Sequence, residues 1–223
     1  MFVIVQRGKP KLAGSLRAFS LIEMVAVIAI LVTLMTAGVS LLGSTGMQSR
    51  KAGTDLLTGM IEQARTKAIT SRSHVMLVIA EPGDLPSGDE RCRIGMFQVD
   101  DWPESPVGKL SMNGVLLNRW QNLNTGIALI GGDVDDVPNP IDGDQVTITY
   151  GTKNTTVEVH AIAFNSRGGL AYPPGSTPVI FRVAEGGYRG GVAKANERGA
   201  DKTIAENRLK VGRVTARPYR FDG

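Results

Sequence analysis

The distribution of apolar and polar residues predicts one long helix followed by many short strands. Residues 24–42 read MVAVIAILVTLMTAGVSLL without a charged side chain, and no other stretch of the sequence is as long and apolar. Such a helix would span about 28 Å, close to the roughly 30 Å of a bilayer's hydrocarbon core. Apolar residues then recur at three- and four-residue spacing from Leu56 to Ile69, which is typical of an amphipathic helix. We therefore predict one helix from Phe19 to about Arg72.

Short apolar runs of strand length begin at Val75. They lie at residues 75–80, 94–99, 126–131, 146–150, 157–164, 178–183 and 208–216. Within 146–150, apolar residues alternate with threonines, as in a strand buried on one face. Clusters of Gly, Pro, Asn and Asp separate the runs, as in antiparallel sheets. The predicted fold class is therefore α+β, with a long N-terminal helix packed on an antiparallel β-sheet.

The composition excludes some kinds of functional site and favours none. The net charge of +4 and mean hydropathy of −0.01 are averages over a basic start, an acidic segment at residues 81–145 and a basic end. One cysteine and two histidines exclude a disulfide framework and a Cys-rich zinc module. Cys92 lies between Arg91 and Arg93, charges that favour a lower thiol pKa, but an isolated thiol in a surface loop is more often incidental. With no catalytic motif either, we expect no enzyme activity and no cofactor.

Three interpretations of the apolar segment remain open: a cleaved secretory signal peptide, a buried core helix and a retained single-span anchor. The segment exceeds the 7–15 apolar residues of a signal peptide, and no small-x-small cleavage site stands out after Leu42. A core helix rarely has so long an apolar run, so the anchor is favoured. Four basic residues precede Glu23, the first acid. The positive-inside rule then predicts a cytoplasmic N-terminus, with residues beyond about 50 on the far side.

Residues 14–24, which read GSLRAFSLIEM, are followed by VAVIAIL. This segment resembles the class III signal of type IV pilins and type II secretion pseudopilins. The resemblance implies that prepilin peptidase cuts between Ala18 and Phe19 and methylates the new N-terminus at Phe19. Glu23 then becomes the fifth mature residue, which in this family pairs with the N-terminal amine of a neighbouring subunit in the filament. Ala18 replaces the usual glycine of the family, so we expect slower cleavage.

A pilin-like organisation of the chain follows from the resemblance. Residues 1–18 would be the cleaved leader, 19–46 the transmembrane and filament-core half of the helix, and 47–223 a periplasmic globular domain that includes the amphipathic half. The expected location is the inner membrane, with a single span. Expected partners are other pilin or pseudopilin subunits, prepilin peptidase, the membrane and its assembly platform.

Two later motifs resemble the GspH/FimT group of minor pilins and pseudopilins: FNSRGGLA at residues 164–171 and VGRV at 211–214. They imply a minor pseudopilin of a type II secretion system, assembled into a periplasmic filament for protein export. The alternative is a minor pilin of type IV pili that binds DNA through Arg213, Arg217 and Arg220. FimT-like pilins carry Gly-Arg-x-Arg for this purpose, but Thr215 stands where the second arginine would be.

The five aspartates of residues 133–144 raise the question of a calcium site. As an EF-hand loop they fail, because Val137 takes a ligand position, Pro138 the glycine position and Asp144 the closing glutamate position. We expect solvated loop charges here and no bound metal.

Overall fold

A computed structural model of the chain describes residues 21–86, 91–104, 106 and 108–221, and for residues 34–45 only the backbone. The chain divides into two compact units, Met1–Gly43 and Ser44–Gly223. The predicted leader, residues 1–18, lies outside the described residues. The second unit contains all of the strands and the C-terminal half of the helix.

Helix α1 covers Leu21–Ser71. It ends where Arg72 adopts a positive φ of 53°, a conformation that a helix cannot continue through. The strands that follow are β1 (His74–Ala80), β2 (Arg93–Val99), β3 (Ser111–Asn113), β4 (Val115–Leu116), β5 (Gln121–Asn122), β6 (Ile127–Ile130), β7 (Val146–Tyr150), β8 (Thr155–Phe164), β9 (Leu170–Tyr172), β10 (Val179–Arg189), β11 (Val192–Ala195), β12 (Glu197–Arg198), β13 (Thr203–Ile204), β14 (Glu206–Val211) and β15 (Pro218–Phe221).

The predicted fold class is wrong in its transmembrane helix. No helix in the part of the chain that the structure describes is both long and apolar enough to cross a membrane. Strands also contribute more residues than the helix. The predicted single-pass location in the inner membrane depended on that helix and is corrected with it.

The larger sheet curves until its two ends are adjacent. Its strand order is β3-β7-β8-β1-β2-β4, with β5 also paired to β2 and β9 to β8. Only β3 and β7 pair in parallel; the other pairs of this sheet are antiparallel. Strands β3 and β4 stand at opposite ends of this order, yet Gly114 alone separates them in the chain. The sheet therefore has an inner and an outer face.

Both faces of this sheet are buried, which explains why β1 reads as a continuous apolar run. Met76, Val78 and Ala80 pack in a core on one side, together with Phe97 and Ile148. The residues between them, Val75, Leu77 and Ile79, belong to a second core on the other side.

That second core joins helix α1 to both sheets. The smaller sheet has the order β11-β10-β14-β15, with β6 also paired to β10. Leu57, Ile61 and Ala64 of the helix pack with Phe164 of the larger sheet and Phe181 of the smaller one. The amphipathic stripe that the sequence predicted from Leu56 to Ile69 thus faces this core.

The seven predicted apolar runs coincide with strands, and the last one needs correction. Residues 208–216 were predicted as one strand, but β14 ends at Val211 and a turn follows before β15 begins at Pro218. Ala216 has a positive φ of 46° within that turn. The chain therefore reverses direction there, and β15 pairs antiparallel with β14.

Candidate functional site

The first turns of helix α1 expose apolar side chains on every side. All residues from Leu21 to Thr33 are solvent-exposed, and Leu21 is 83% and Ile22 76% exposed. Glu23 is the only charged residue in this segment, and it lies in the first turn of the helix. We call residues 21–33 the exposed apolar segment. An apolar surface of this extent is typical of an interaction site.

The predicted processing site cannot be placed with respect to this segment. Ala18 and Phe19 lie outside the described residues. Of the predicted cleavage and assembly residues, the structure therefore locates Glu23 alone, exposed near the start of the described helix. Cleavage before Phe19, its methylation and the role of Glu23 stay predictions.

Further along the same helix, a buried ionic network fixes the helix to the smaller sheet. Glu185 of β10 is only 5% exposed, and Arg50 Nη1 donates to its Oε1 at 3.1 Å. Arg198 pairs with the other carboxylate oxygen. Asn207 accepts a hydrogen bond from Arg50 Nε at 3.1 Å and donates one to Thr54 Oγ1 at 3.1 Å. A carboxylate this buried needs such partners, because desolvation of an unpaired charge is expensive.

The absence of a side chain at Gly46 makes room for the carboxylate of this network. A β-carbon at this position would lie 2.8 Å from the carboxylate carbon of Glu185. By propensity alone, a glycine within a helix would only weaken it. At Gly46 the structure instead shows a close approach between the helix and a buried side chain. Nothing in the sequence pattern identified Glu185, because its partner on the helix is 135 positions away.

The two motifs that resemble GspH/FimT proteins meet at the C-terminal end of the helix. Gly168, at φ = 80°, lies so close to Ile69 that a β-carbon would approach its Cδ1 to 2.7 Å. Leu170 N donates to Arg213 O at 2.9 Å, which connects one motif to the other. Arg65 Nε donates to Thr215 O at 2.6 Å. The motifs therefore form the turn structure against which the helix ends.

The three arginines predicted to bind DNA have different environments. Arg213 donates from Nε to Thr177 O at 2.9 Å and from Nη1 to Pro173 O at 2.6 Å, and burial lowers its pKa. Arg220 Nη2 lies 2.5 Å from Asp55 Oδ1 of the helix. Arg217 is exposed. Two of the three guanidinium groups thus already contact other parts of the chain, and no contact shown here favours DNA binding, which stays a prediction.

The aspartates of residues 133–144 shape their own loop. Asp133 Oδ1 accepts a hydrogen bond from Asn139 N at 2.9 Å, and Asp142 Oδ2 accepts one from Gly132 N at 2.6 Å. Asn139, buried beneath them, donates to Ile130 O at 2.7 Å. Within the described residues, no group of three or more His, Cys, Asp or Glu side chains could hold a metal ion.

The expectation that neighbouring arginines lower the pKa of Cys92 is wrong. The thiol is buried beside Tyr188, and burial raises its pKa to about 12. Desolvation disfavours the thiolate, and the nearby charges of Glu81 and Asp84 disfavour it further.

Comparison with known proteins leaves the family undetermined. No family model matches the chain, and no curated protein matches it. Among solved structures, it is similar to the crystal structure of the type IV minor pilin FimU of Pseudomonas aeruginosa. The two share 12% sequence identity over 80% of this chain and 92% of that one, with a TM-score of 0.39. A likeness this distant does not carry an assignment.

Proposed function

We propose that this chain is a minor subunit of a pilin-type filament, and more specifically a pseudopilin of a type II secretion system. The observation that supports this role is the exposed apolar segment, residues 21–33. A helix that is hydrophobic on all sides is normally buried, whereas a surface helix has a polar face. Among the described residues, this segment is exposed and lacks a polar face, and we propose that helices of other subunits cover it.

The energetic reason for assembly is burial of large aliphatic side chains. Complete burial of one such side chain contributes about 1.5–3 kcal/mol. The large apolar residues of the segment that are about half exposed or more are Leu21, Ile22, Met24, Val25, Val27, Ile28, Ile30, Leu31 and Val32. Together they would offset the substantial entropic cost of association. The matching surface that we propose is the equivalent helix of a neighbouring pilin or pseudopilin subunit, because residues 14–24 resemble the pilin signal.

Glu23 gives the assembly its axial register in this proposal. Packing by neighbouring helices would bury its carboxylate, and an unpaired buried carboxylate is strongly unfavourable. The amine of a processed subunit at Phe19 is the proposed counter-charge. Only the register that brings amine and carboxylate together avoids the penalty, so the pair selects one arrangement even if it adds little net stability.

Intact-mass measurement tests the processing step. The full-length chain is produced with and without a prepilin peptidase. With the peptidase, we expect a chain that begins at Phe19 and carries one additional methyl group. The Ala18→Gly variant, which restores the residue usual in the family, should be processed at least as fast. An intact Met1, or a cut after residue 42, would contradict the proposal.

Assembly is tested by cross-linking between subunits. Cysteines introduced at Val27 and at the facing helix position of a co-produced filament subunit should form a disulfide when an oxidant is added, whereas a cysteine at exposed Asp101 with the same partner cysteine should not; native Cys92 is buried. Glu23→Ala should be processed normally yet lose the cross-link. Glu62→Ala, which removes a carboxylate from the packed half of the same helix, is the matched control. Normal cross-linking of Glu23→Ala would exclude the register role.

A further inference from the structure

A groove opens where the two ends of the larger sheet meet. Its volume is about 660 Å³, within the roughly 300–1,000 Å³ of small-molecule sites. One wall is the 113–116 segment that joins β3 to β4, and the other is the turn after β7, formed by residues 149–152 and Asn154. The pilin-type role makes no use of this groove.

The groove is lined by neutral side chains. Asn113, Asn154 and Thr152 supply amide and hydroxyl groups, and aliphatic carbon and the ring of Tyr150 supply apolar surface. The hydroxyl of Thr149 already bonds with that of Thr156 at 3.0 Å. No acidic or basic residue lines it among the residues described, although charged residues make up 21% of the sequence. Nothing in this lining compensates the charge of a phosphate or a cation, so the chemistry favours an uncharged ligand with both apolar and hydroxyl surfaces.

The aromatic side of the groove is held rigidly. Tyr150 packs edge-on against Phe97 with ring centroids 5.1 Å apart, and the Trp120 ring lies 6.4 Å from Tyr150. Trp120 in turn covers Gly95, where a β-carbon would come within 2.9 Å of the indole. A preformed aromatic surface beside hydrogen-bonding groups suits a sugar ring, which has an apolar C–H face and hydroxyl edges.

The backbone around the groove disfavours an extended peptide as the ligand. A peptide that adds to a sheet edge needs free N–H and C=O groups in a row. Here Gly114 N donates to Thr149 O at 3.0 Å, Leu117 N to Met96 O at 2.8 Å, and Thr147 N to Leu110 O at 2.8 Å. These backbone groups are already used by the closure of the sheet.

We propose that this groove binds a neutral saccharide. The sugar ring stacks beside Tyr150, and its hydroxyl groups bond with the amides of Asn113 and Asn154. This inference does not depend on the filament role, so either can fail without the other.

Titration with neutral trisaccharides tests the proposal. The full-length chain, kept dispersed in a zwitterionic detergent without a sugar headgroup, carries Trp102→Phe so that Trp120 is the sole tryptophan, excited selectively at long wavelength. Maltotriose, cellotriose, chitotriose and an uncharged alternating threonine–valine peptide are the probes. We expect a saturable fluorescence change at millimolar concentration of at least one trisaccharide. Binding should be insensitive to ionic strength, because no charge is paired.

Variants assign the binding to the groove. Asn113→Ala and Asn154→Gly should each weaken binding by up to about tenfold, the effect of one lost hydrogen bond. Glycine is chosen at position 154 because Asn154 has a positive φ of 50°. Asn196→Ala, at an exposed position beyond the groove, is the matched control and should bind normally. No response to any trisaccharide, a response only to the peptide, or equal weakening by Asn196→Ala would overturn the proposal.

Discussion

Two parts of helix α1 have opposite environments. Residues 21–33 are exposed on all sides, whereas Leu57, Ile61 and Ala64 are fully buried. The two parts differ in how their apolar residues are distributed around the helix. The later part has an apolar stripe and polar residues elsewhere, so packing one side of the helix against the core buries its apolar residues. The earlier part has apolar residues around its circumference, which a single sheet surface could not cover.

Polar residues of the two parts differ in the same way. Arg50 and Thr54 bond with Glu185 and Asn207 of the smaller sheet, within one unit of the chain. Glu23 is exposed in the other unit. The comparison teaches that the later part of the helix is held by partners within its own unit, and that solvent exposure distinguishes the earlier part among the described residues.

The largest expected effect comes from shortening one leucine in each part. Leu57→Ala should lower the free energy of unfolding by about 2–5 kcal/mol, because it leaves a cavity in a packed core. Leu31→Ala should change it by less than about 0.5 kcal/mol. Urea unfolding of the full-length chain, followed by fluorescence of Trp102 and Trp120, measures both. Similar losses for the two variants would break the comparison.

A smaller loss is expected from the buried ionic network. Glu185→Ala leaves Arg50, whose side chain is 15% exposed, without its carboxylate. We expect the free energy of unfolding to fall by about 1–3 kcal/mol. This is the usual contribution of a hydrogen bond to a charged group, or the penalty of leaving a buried polar group unsatisfied. Glu197→Ala is the control, since that carboxylate is exposed and lies 3.9 Å from Lys202.

The interaction energy between Glu185 and Arg50 can be measured separately from the effect of losing either side chain alone. In a double-mutant cycle with Arg50→Ala, the combined change should be clearly smaller than the sum of the single changes. Additive changes would show that the network does not hold the helix to the sheet.

Periodicity predicted the elements that repeat and missed those that do not. Leu56 to Ile69 and Val146 to Tyr150 each show several periods, and both were assigned correctly. Strands such as β4 and β5 have two residues each, too few for any pattern. The reversal after Val211 was missed because the apolar and basic residues continue through the turn.

Contacts between residues far apart in the chain could not be predicted from the sequence either. Glu185 looked like any acid in a strand, yet its burial depends on Arg50 at a separation of 135 positions. The groove beside Tyr150 arises only when β3 and β4 meet across Gly114. By contrast, Glu23 was recognisable because a carboxylate beside an uncharged apolar run is conspicuous in any sequence.

A third prediction contrasts a half-buried carboxylate of the globular unit with exposed Glu23. Burial, and to a smaller degree the nearby charge of Asp84, raises the pKa of Glu81 to about 7 from its usual 4.5. Between these values the folded state retains a proton that the unfolded state releases, so stability falls as pH rises from about 4.5 to about 7. After allowance for solvent screening, we expect the free energy of unfolding to fall by about 1 kcal/mol over this pH range.

Glu81→Gln isolates this effect. The variant should gain stability relative to the native chain as pH increases through that window, and the difference should level off above pH 7. Urea unfolding at several pH values measures the difference, in which the other titrating groups largely cancel. Glu23→Gln, which replaces an exposed carboxylate outside the globular unit, is the control. A pH-independent difference for Glu81→Gln would contradict the assignment.

The smallest expected effect concerns the link between the C-terminal strand and the helix. Arg220 Nη2 lies 2.5 Å from Asp55 Oδ1, but the two side chains are 47% and 56% exposed. Exposed ion pairs contribute only about 0.2–1 kcal/mol to stability. Arg220→Ala should therefore lower the free energy of unfolding by no more than this amount, as measured by urea unfolding at low salt. High salt should abolish the difference from the native chain, because it screens exposed charges. Arg217→Ala, at a nearby exposed arginine, is the matched control. A loss for Arg220→Ala that approached the loss for Glu185→Ala would mean that the exposed pair holds the helix as firmly as the buried network, and that burial is not what distinguishes the packed part of the helix.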